Sequence, residues 1–394
     1  MWKTAKLGEI TTISIGKTPS RSNSKLWDKE KKTKNIWLSI ADLTALDNLY
    51  VKDSKEYVSD EGAKLIKVIP KGTLIMSFKL SIGKLAITQS ELRSNEAIAA
   101  LLIKDEKIIS KKYLYYFLSS IDWDALAGND IKVKGKTLNK AKLNEIPISF
   151  PPLSEQDLIT TKLQSIFFEI DKMINSTEEI LKNINSISNK YIDQIFSSVS
   201  GTKTTLEKVT STITCGVAKR PSYMEKGIPF LSARNVKNGR MKWVNYKFID
   251  EKTHLKLSKY NKPTIGDILY SRVGAGFGDA AIVDRDLEFS IFVSLTLIKT
   301  KKELNNEYLC HFLNSSFIKK LASLSITGTG VGNLNVSAVR KFPINLIPLD
   351  EQKEIVKKID TYKILSNKLI NIYTQKTENL FKLRDVILRN EIKS

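Results

Sequence analysis

Phe150-Pro151-Pro152-Leu153-Ser154-Glu155-Gln156-Asp157-Leu158-Ile159 returns 196 residues later as Leu346-Ile347-Pro348-Leu349-Asp350-Glu351-Gln352-Lys353-Glu354-Ile355. Pro152, Leu153, Glu155, Gln156 and Ile159 recur unchanged, Pro147 recurs as Pro343, and Leu138-Asn139 recurs as Leu334-Asn335. Further upstream the register loosens by a few residues: Tyr113-Leu114 and Phe117-Leu118 answer to Tyr308-Leu309 and Phe312-Leu313, and Leu38-Ser39 to Leu231-Ser232. A single shift held over such a distance, drifting where loops would take insertions, marks a tandem duplication.

A heptad pattern follows each Pro-Leu-x-Glu-Gln element. Ile159, Leu163, Ile166, Ile170, Met173, Thr177, Ile180, Ile184, Ile187 and Tyr191 alternate steps of four and three, which predicts a coiled-coil seam. The same shift gives Ile355, Ile359, Tyr362, Ser366, Leu369, Tyr373, Lys376, Leu380, Leu383 and Ile387, a second seam weakened at Ser366 and Lys376. Ser154 and Asp350 are expected as N-caps, with Asp157 completing a capping box. A first helix over residues 155–197 would be roughly 65 Å long at ~1.5 Å per residue, the length of a spacer. The two stripes are expected to be each other's core.

Ahead of each helix lies a block of short β-branched runs punctuated by glycine, including 73–76, 84–88, 267–270 and 280–283, with short helices at 113–118 and 308–313. These are α+β blocks. The expected division is residues 1–150 and 201–347 for the two blocks, with 151–200 and 348–394 for the two long helices.

The net charge is +21 and the pI about 9.6, which points to a polyanionic partner. The excess is uneven: +9 over residues 1–149 and +12 over 201–349, against −3 over 150–200 and +3 over 350–394. The blocks, not the helices, carry it. The longest apolar run, 97–103, is far too short to cross a bilayer, and the first residues lack a signal peptide's apolar stretch, so a cytoplasmic chain is expected. Cys215, Cys310, His254 and His311 show no spacing suited to a zinc or redox site.

A basic block, a Pro-x-x-x-x-Pro-Leu-x-Glu-Gln element and a long helix, all occurring twice, with Ile347-Pro348 in the second copy where the first has Pro151-Pro152, resemble the specificity subunits of type I restriction-modification systems. LGEITTISIGKTPSR (Leu7 to Arg21) and NIWLSIADL (Asn35 to Leu43) resemble parts of their target recognition domains. The resemblance spans essentially the whole chain. It implies two α/β target recognition domains, each reading half of a split double-stranded DNA site, separated by two long antiparallel coiled-coil helices in a pseudo-twofold repeat. It also implies two methyltransferase subunits and motor-nuclease subunits as partners. S-adenosylmethionine, ATP and Mg are expected in those partners, with no cofactor in this chain. GKTPSR in the first copy against GVAKRPSY in the second implies different base sequences for the two halves.

Catalytic patterns fail one by one. An adenine methyltransferase needs Asn, Asp or Ser before a Pro-Pro pair and an aromatic after it, and Phe150-Pro151-Pro152-Leu153 offers neither. Gly16-Lys17-Thr18 and Gly135-Lys136-Thr137 end like a phosphate loop, but its upstream glycine is Thr11 in one and Asp130 in the other. Gly274 to Gly278 and Gly328 to Gly332 lack the dinucleotide spacing and read as turns or backbone-approach loops. His254 and His311 sit in no nucleophile motif.

Phosphate contacts call for Lys and Arg, and base reading for forked donors. The candidates are Lys17, Arg21, Lys25, Lys79, Lys132, Lys134, Lys136 and Lys140 in the first block. In the second they are Lys219, Arg220, Arg234, Asn235, Arg240 and Arg272. Two other readings stay open: a recognition subunit whose methyltransferase and nuclease are fused in one partner, and a basic coiled-coil scaffold binding nucleic acid without sequence preference.

Overall fold

The computed structural model describes residues 1–46, 49–79, 81–127, 131–132, 135–136, 138–259, 261–273, 277–327 and 333–393; at 124, 127, 131, 132, 135, 136, 326, 327 and 393 it describes backbone alone. The chain forms two compact units, Met1–Ser176 with Thr377–Ser394, and Thr177–Lys376.

Unit 1 is built on a five-stranded sheet. Its order is Thr11–Ile15, Ile98–Ile103, Leu74–Ser77, Leu85–Thr88 and Tyr50–Val51, antiparallel but for the last pair. The strand Ile98–Ile103 lies inside the sheet, paired on both sides, and its first four residues are buried on both faces, so it reads as an unbroken apolar run. A three-stranded sheet flanks it, in which Ile36–Leu38 pairs parallel with Arg93–Ser94 and antiparallel with Glu56–Tyr57. Lys3–Lys6 pairs with Pro147–Phe150, which brings the two ends of the block together.

Unit 2 repeats this plan. Thr210–Cys215, Leu295–Thr300, Ile268–Ser271 and Ala280–Ile282 form an antiparallel sheet, and Ile228–Leu231 pairs parallel with Ser290–Ile291. Thr202–Thr205 closes on Pro343–Leu346, as its counterpart does in unit 1. The repeat is therefore topological as well as sequential.

Two helices, Leu153–Ser198 of 46 residues and Leu349–Lys393 of 45, follow the closing strands. Each starts at the leucine of the motif, with the preceding prolines accepting the first amides: Gln156 N–H donates to Pro152 O and Gln352 N–H to Pro348 O, both at 3.1 Å. This corrects the capping expectation, because Ser154 and Asp350 lie inside the first turn. Proline lacks an N–H but keeps its carbonyl, so it can precede a helix at no cost.

The motif's glutamine is the joint between block and helix. Gln156 is fully buried; its carboxamide accepts from Ser110 N–H at 2.9 Å and donates to Ile108 O at 2.9 Å and Pro151 O at 2.8 Å. Gln352, equally buried, accepts from Asn305 N–H and donates to Glu303 O and Ile347 O, all at 2.8 Å. In each unit a single buried side chain thus satisfies three backbone groups where block and helix join.

The helices run antiparallel within each unit. In unit 1 Lys162 meets Glu391 and Asp171 meets Arg384; in unit 2 Ser188 meets Ser366 and Tyr191 stacks on Tyr362. As one number rises, its partner falls. Most of the expected first seam holds: Ile159, Leu163, Ile170 and Thr177 are buried, and Ile166, Ile180, Ile184 and Tyr191 half-buried. In the alternate row the buried face moves to the following residue at two positions, Met173 and Ile187. Met173 and Ile187 are 49% and 56% exposed, while Phe167, Ile174, Leu181 and Ser188 turn inward. On the second helix Leu369, Lys376 and Leu383 are exposed, and Ile370, Thr377 and Arg384 replace them. Both rows of the first helix are largely apolar, so hydrophobicity alone does not choose between them; packing does, as where the Phe167 ring meets Tyr116 edge-on at 5.8 Å.

Candidate nucleic-acid interface

The loops that follow Thr11–Ile15 and Thr210–Cys215 begin alike. A Cβ on Gly16 would lie 2.1 Å from Ser94 O, and one on Gly216 2.1 Å from Ile291 O, so only glycine lets the chain pass that close to the neighbouring strand. Beyond the glycines the two loops diverge.

In unit 1 the Arg21 guanidinium forks onto the Glu56 carboxylate and lies over the rings of Trp27 at 3.9 Å and Trp37 at 4.8 Å. The hydrogen bonds that Arg21 donates to Glu56 hold its pKa above the ordinary arginine value. Lys17 and Lys25 are exposed nearby, and Trp37 Nε1 donates to Lys17 O at 3.1 Å. Lys79 is half-buried over Phe78, and Lys140 is exposed at the start of the helix Lys140–Asn144. Lys132 and Lys136 lie on paired strands, their side chains outside the described residues, as is Lys134 altogether.

Unit 2 carries an open cleft of about 770 Å³. Arg220, Arg234, Lys237 and Lys247 line it, with Tyr223, Phe230, Tyr246 and Phe292, and among the described residues no carboxylate does. Arg220 lies 5.9 Å from the centre of the Phe292 ring. Three acidic side chains of this unit are engaged elsewhere: Asp279 by Lys319, Asp284 by Trp243 and Glu288 by Lys262. Lys219 is exposed beside Arg220. Arg240 is exposed on the hairpin Val236–Lys237 to Arg240–Met241, whose turn residues Asn238 and Gly239 have φ of 54° and 75°. That is the Asn-Gly signature of a tight hairpin.

Two candidates are placed inward. Asn235 is 1% exposed; its Oδ1 accepts from Ser232 N–H and its Nδ2 donates to Lys242 O and Val244 O. It caps a turn as Asp42 does for Ser39 in unit 1, which leaves its carboxamide nothing to offer a base. Arg272 is 7% exposed at the end of the strand Ile268–Ser271 and, as placed, presents no fork to a groove. Sequence reasoning missed Lys237, Lys247 and the aromatic walls. The Asn-Gly turn beside Lys237 is the signal that could have found it.

Both histidines are structural. His254 is buried against Ser290 Oγ at 2.9 Å. His311 Nε2 meets Asp360 at 2.8 Å and its Nδ1 meets Lys363 Nζ at 2.8 Å; burial, reinforced by the Lys363 charge, lowers its pKa to about 4. Unit 1 has Tyr116 against Phe167 at this position. Cys215 and Cys310 are unpaired thiols, and among the described residues no group of His, Cys, Asp or Glu is arranged to hold a metal. Gly274 to Gly276 and Gly328 to Gly332 lie outside the described residues.

Two units of one topology, each presenting a basic loop of its own, and a pair of long helices define a duplicated recognition protein. The family model described as type I restriction modification DNA specificity domain matches residues 1–186 and 218–378, and the chain belongs to that family. It is 23% identical to the type I restriction enzyme MjaIX specificity subunit of Methanocaldococcus jannaschii, over 98% of this chain and 91% of that protein. To the EcoKI specificity subunit of Escherichia coli K12 it is 20% identical, over 96% and 86%. In fold it is similar to a chain from a structure of a type I restriction-modification system, with TM-score 0.75 and 15% identity over 99% and 97% of the two chains. The HsdS subunit from Thermoanaerobacter tengcongensis gives 0.54 and 16% over 100% and 97%.

Proposed function

We propose that this chain directs its assembly to a split, asymmetric DNA site, each unit reading one half. The observation that carries this is the divergence of the two loops on one topology: Arg21 clamped by Glu56 and two indoles in unit 1, four cations around an open cleft in unit 2. Surfaces so different would not select the same bases. The bases between the half-sites go unread, and the long helices act as the ruler, with half-site centres roughly one turn, about 34 Å, apart. Adenine methylation and cleavage are the work of partners, two methyltransferase subunits and motor-nuclease subunits, which would supply S-adenosylmethionine, ATP and Mg. Mapping methylated adenines in a genome with and without this gene tests the reading. The expected loss is of one bipartite motif; loss of a continuous motif, or of none, would overturn it.

A further inference from the structure

We propose that the cleft of unit 2 takes a single nucleotide turned out of the duplex, which deepens the DNA-reading function proposed above and rests on it. About 770 Å³ is far too small for a double helix, yet falls within the roughly 300–1,000 Å³ of pockets that hold small organic ligands. Its contents suit one nucleotide. Arg220, Arg234, Lys237 and Lys247 are exposed, and among the described residues none of them is paired with a carboxylate, so a phosphate would meet uncompensated charge.

The walls supply what a base needs. Tyr246 and Phe292 are half-buried and Tyr223 is 45% exposed, so all three keep ring surface in water. Every base has a π-face that can stack on such rings, whatever its sequence context. DNA lying across the rim would satisfy the cations and leave the rings facing water. An inserted base covers both. Arg220, near the Phe292 ring, offers a second flat surface against which a base can lie. The corresponding place in unit 1 is already filled, because Arg21 lies over Trp27 and Trp37 with Glu56 as its counter-charge. A nucleotide is therefore expected to leave the stack in the second half-site only.

The test uses the complex assembled with its partner subunits, on duplexes carrying a fluorescent base analogue at one position at a time. 2-Aminopurine serves at A·T pairs and pyrrolocytosine at G·C pairs. Positions of methylated adenines, mapped beforehand, are left out, since the methyltransferase must itself reach those bases. The expected result is a several-fold fluorescence rise at one position of the half-site assigned to unit 2, none in the other half-site, and loss of the rise in Tyr246→Leu/Phe292→Leu. Leucine keeps apolar volume and removes the ring; Arg220→Gln, which leaves the packing untouched, provides a second variant that should diminish the rise. Site-specific binding with flat fluorescence throughout would overturn this proposal and leave the recognition function standing, as would a rise that both variants retain. Absence of any preference for the mapped site over random duplex would instead remove the recognition function itself.

Discussion

The hydroxyls of Ser188 and Ser366 meet at 3.1 Å in the helix seam of unit 2, where the heptad pattern calls for aliphatic side chains. Ser366 is 8% exposed and Ser188 half-buried, so the pair sits largely out of solvent in the seam. Replacing both residues with larger apolar ones, Ser188→Ile/Ser366→Leu, exchanges a hydrogen bond worth about 1 kcal/mol for two buried aliphatic groups worth ~1.5–3 kcal/mol each. A thermal melt should move upward by a few degrees. A drop would mean that the seam is too tight at this point to accept the added volume.

Gln156 and Gln352 predict the opposite sign. Gln156→Ala strands the Ser110 N–H and the carbonyls of Ile108 and Pro151 at a fully buried position. The expected loss is at least ~1–3 kcal/mol, the penalty for one unsatisfied buried group, read from urea unfolding. Gln352→Ala should behave alike, and an effect below about 0.5 kcal/mol in either would show that water replaces the carboxamide.

His311 makes unit 2 sensitive to acid. Its folded pKa of about 4 lies below the unfolded value of 6.5, so the neutral form is the one the fold keeps. Below pH 6.5 the unfolded chain takes up a proton that the folded one refuses, and stability falls from there down to about pH 4. Above pH 6.5 the contribution is complete. His311→Phe should flatten this part of the stability curve, and an unchanged slope between pH 6.5 and 5 would assign the acid response to other groups.

Arg234 is exposed on the cleft of unit 2 and carries a forked donor. Arg234→Ala should weaken or relax only the half-site read by unit 2, by ~1–3 kcal/mol if the side chain contacts a base. Relaxation of both half-sites in a methylation map would refute the assignment of one unit to each.

Deleting one heptad from both long helices, in register with the seam, should shorten the unread gap and leave both half-site sequences unchanged. An unchanged gap would show that the helices are not the ruler.

The duplication, the two long helices and the basic character of the blocks were legible because each rests on a regularity of the chain itself. A fixed shift, a seven-residue period and a charge excess need no tertiary contact to be seen. The local shift of the buried face was not legible, since Ile166 and Phe167 are both apolar and it is the Tyr116 ring and the Arg384 guanidinium, both against Phe167, that bury it more deeply. The candidate contacts divided for the same reason. Arg220, Arg234 and Arg240 stayed exposed, whereas Asn235 looked as free as any turn asparagine until Ser232, Lys242 and Val244 claimed its carboxamide.

Sequence alone therefore settled what is periodic or local: two copies of one fold and a helix at each Pro-Leu-x-Glu-Gln. Tertiary structure decided what depends on residues distant in the chain: which helical row is buried, that Glu56 neutralises Arg21, and that Arg220, Arg234 and Lys247 share one cleft with Phe292. The physical reason is range. Backbone propensity and period act over a few residues and are written in order along the chain, whereas burial and charge pairing are set by neighbours that only folding brings within a few ångströms.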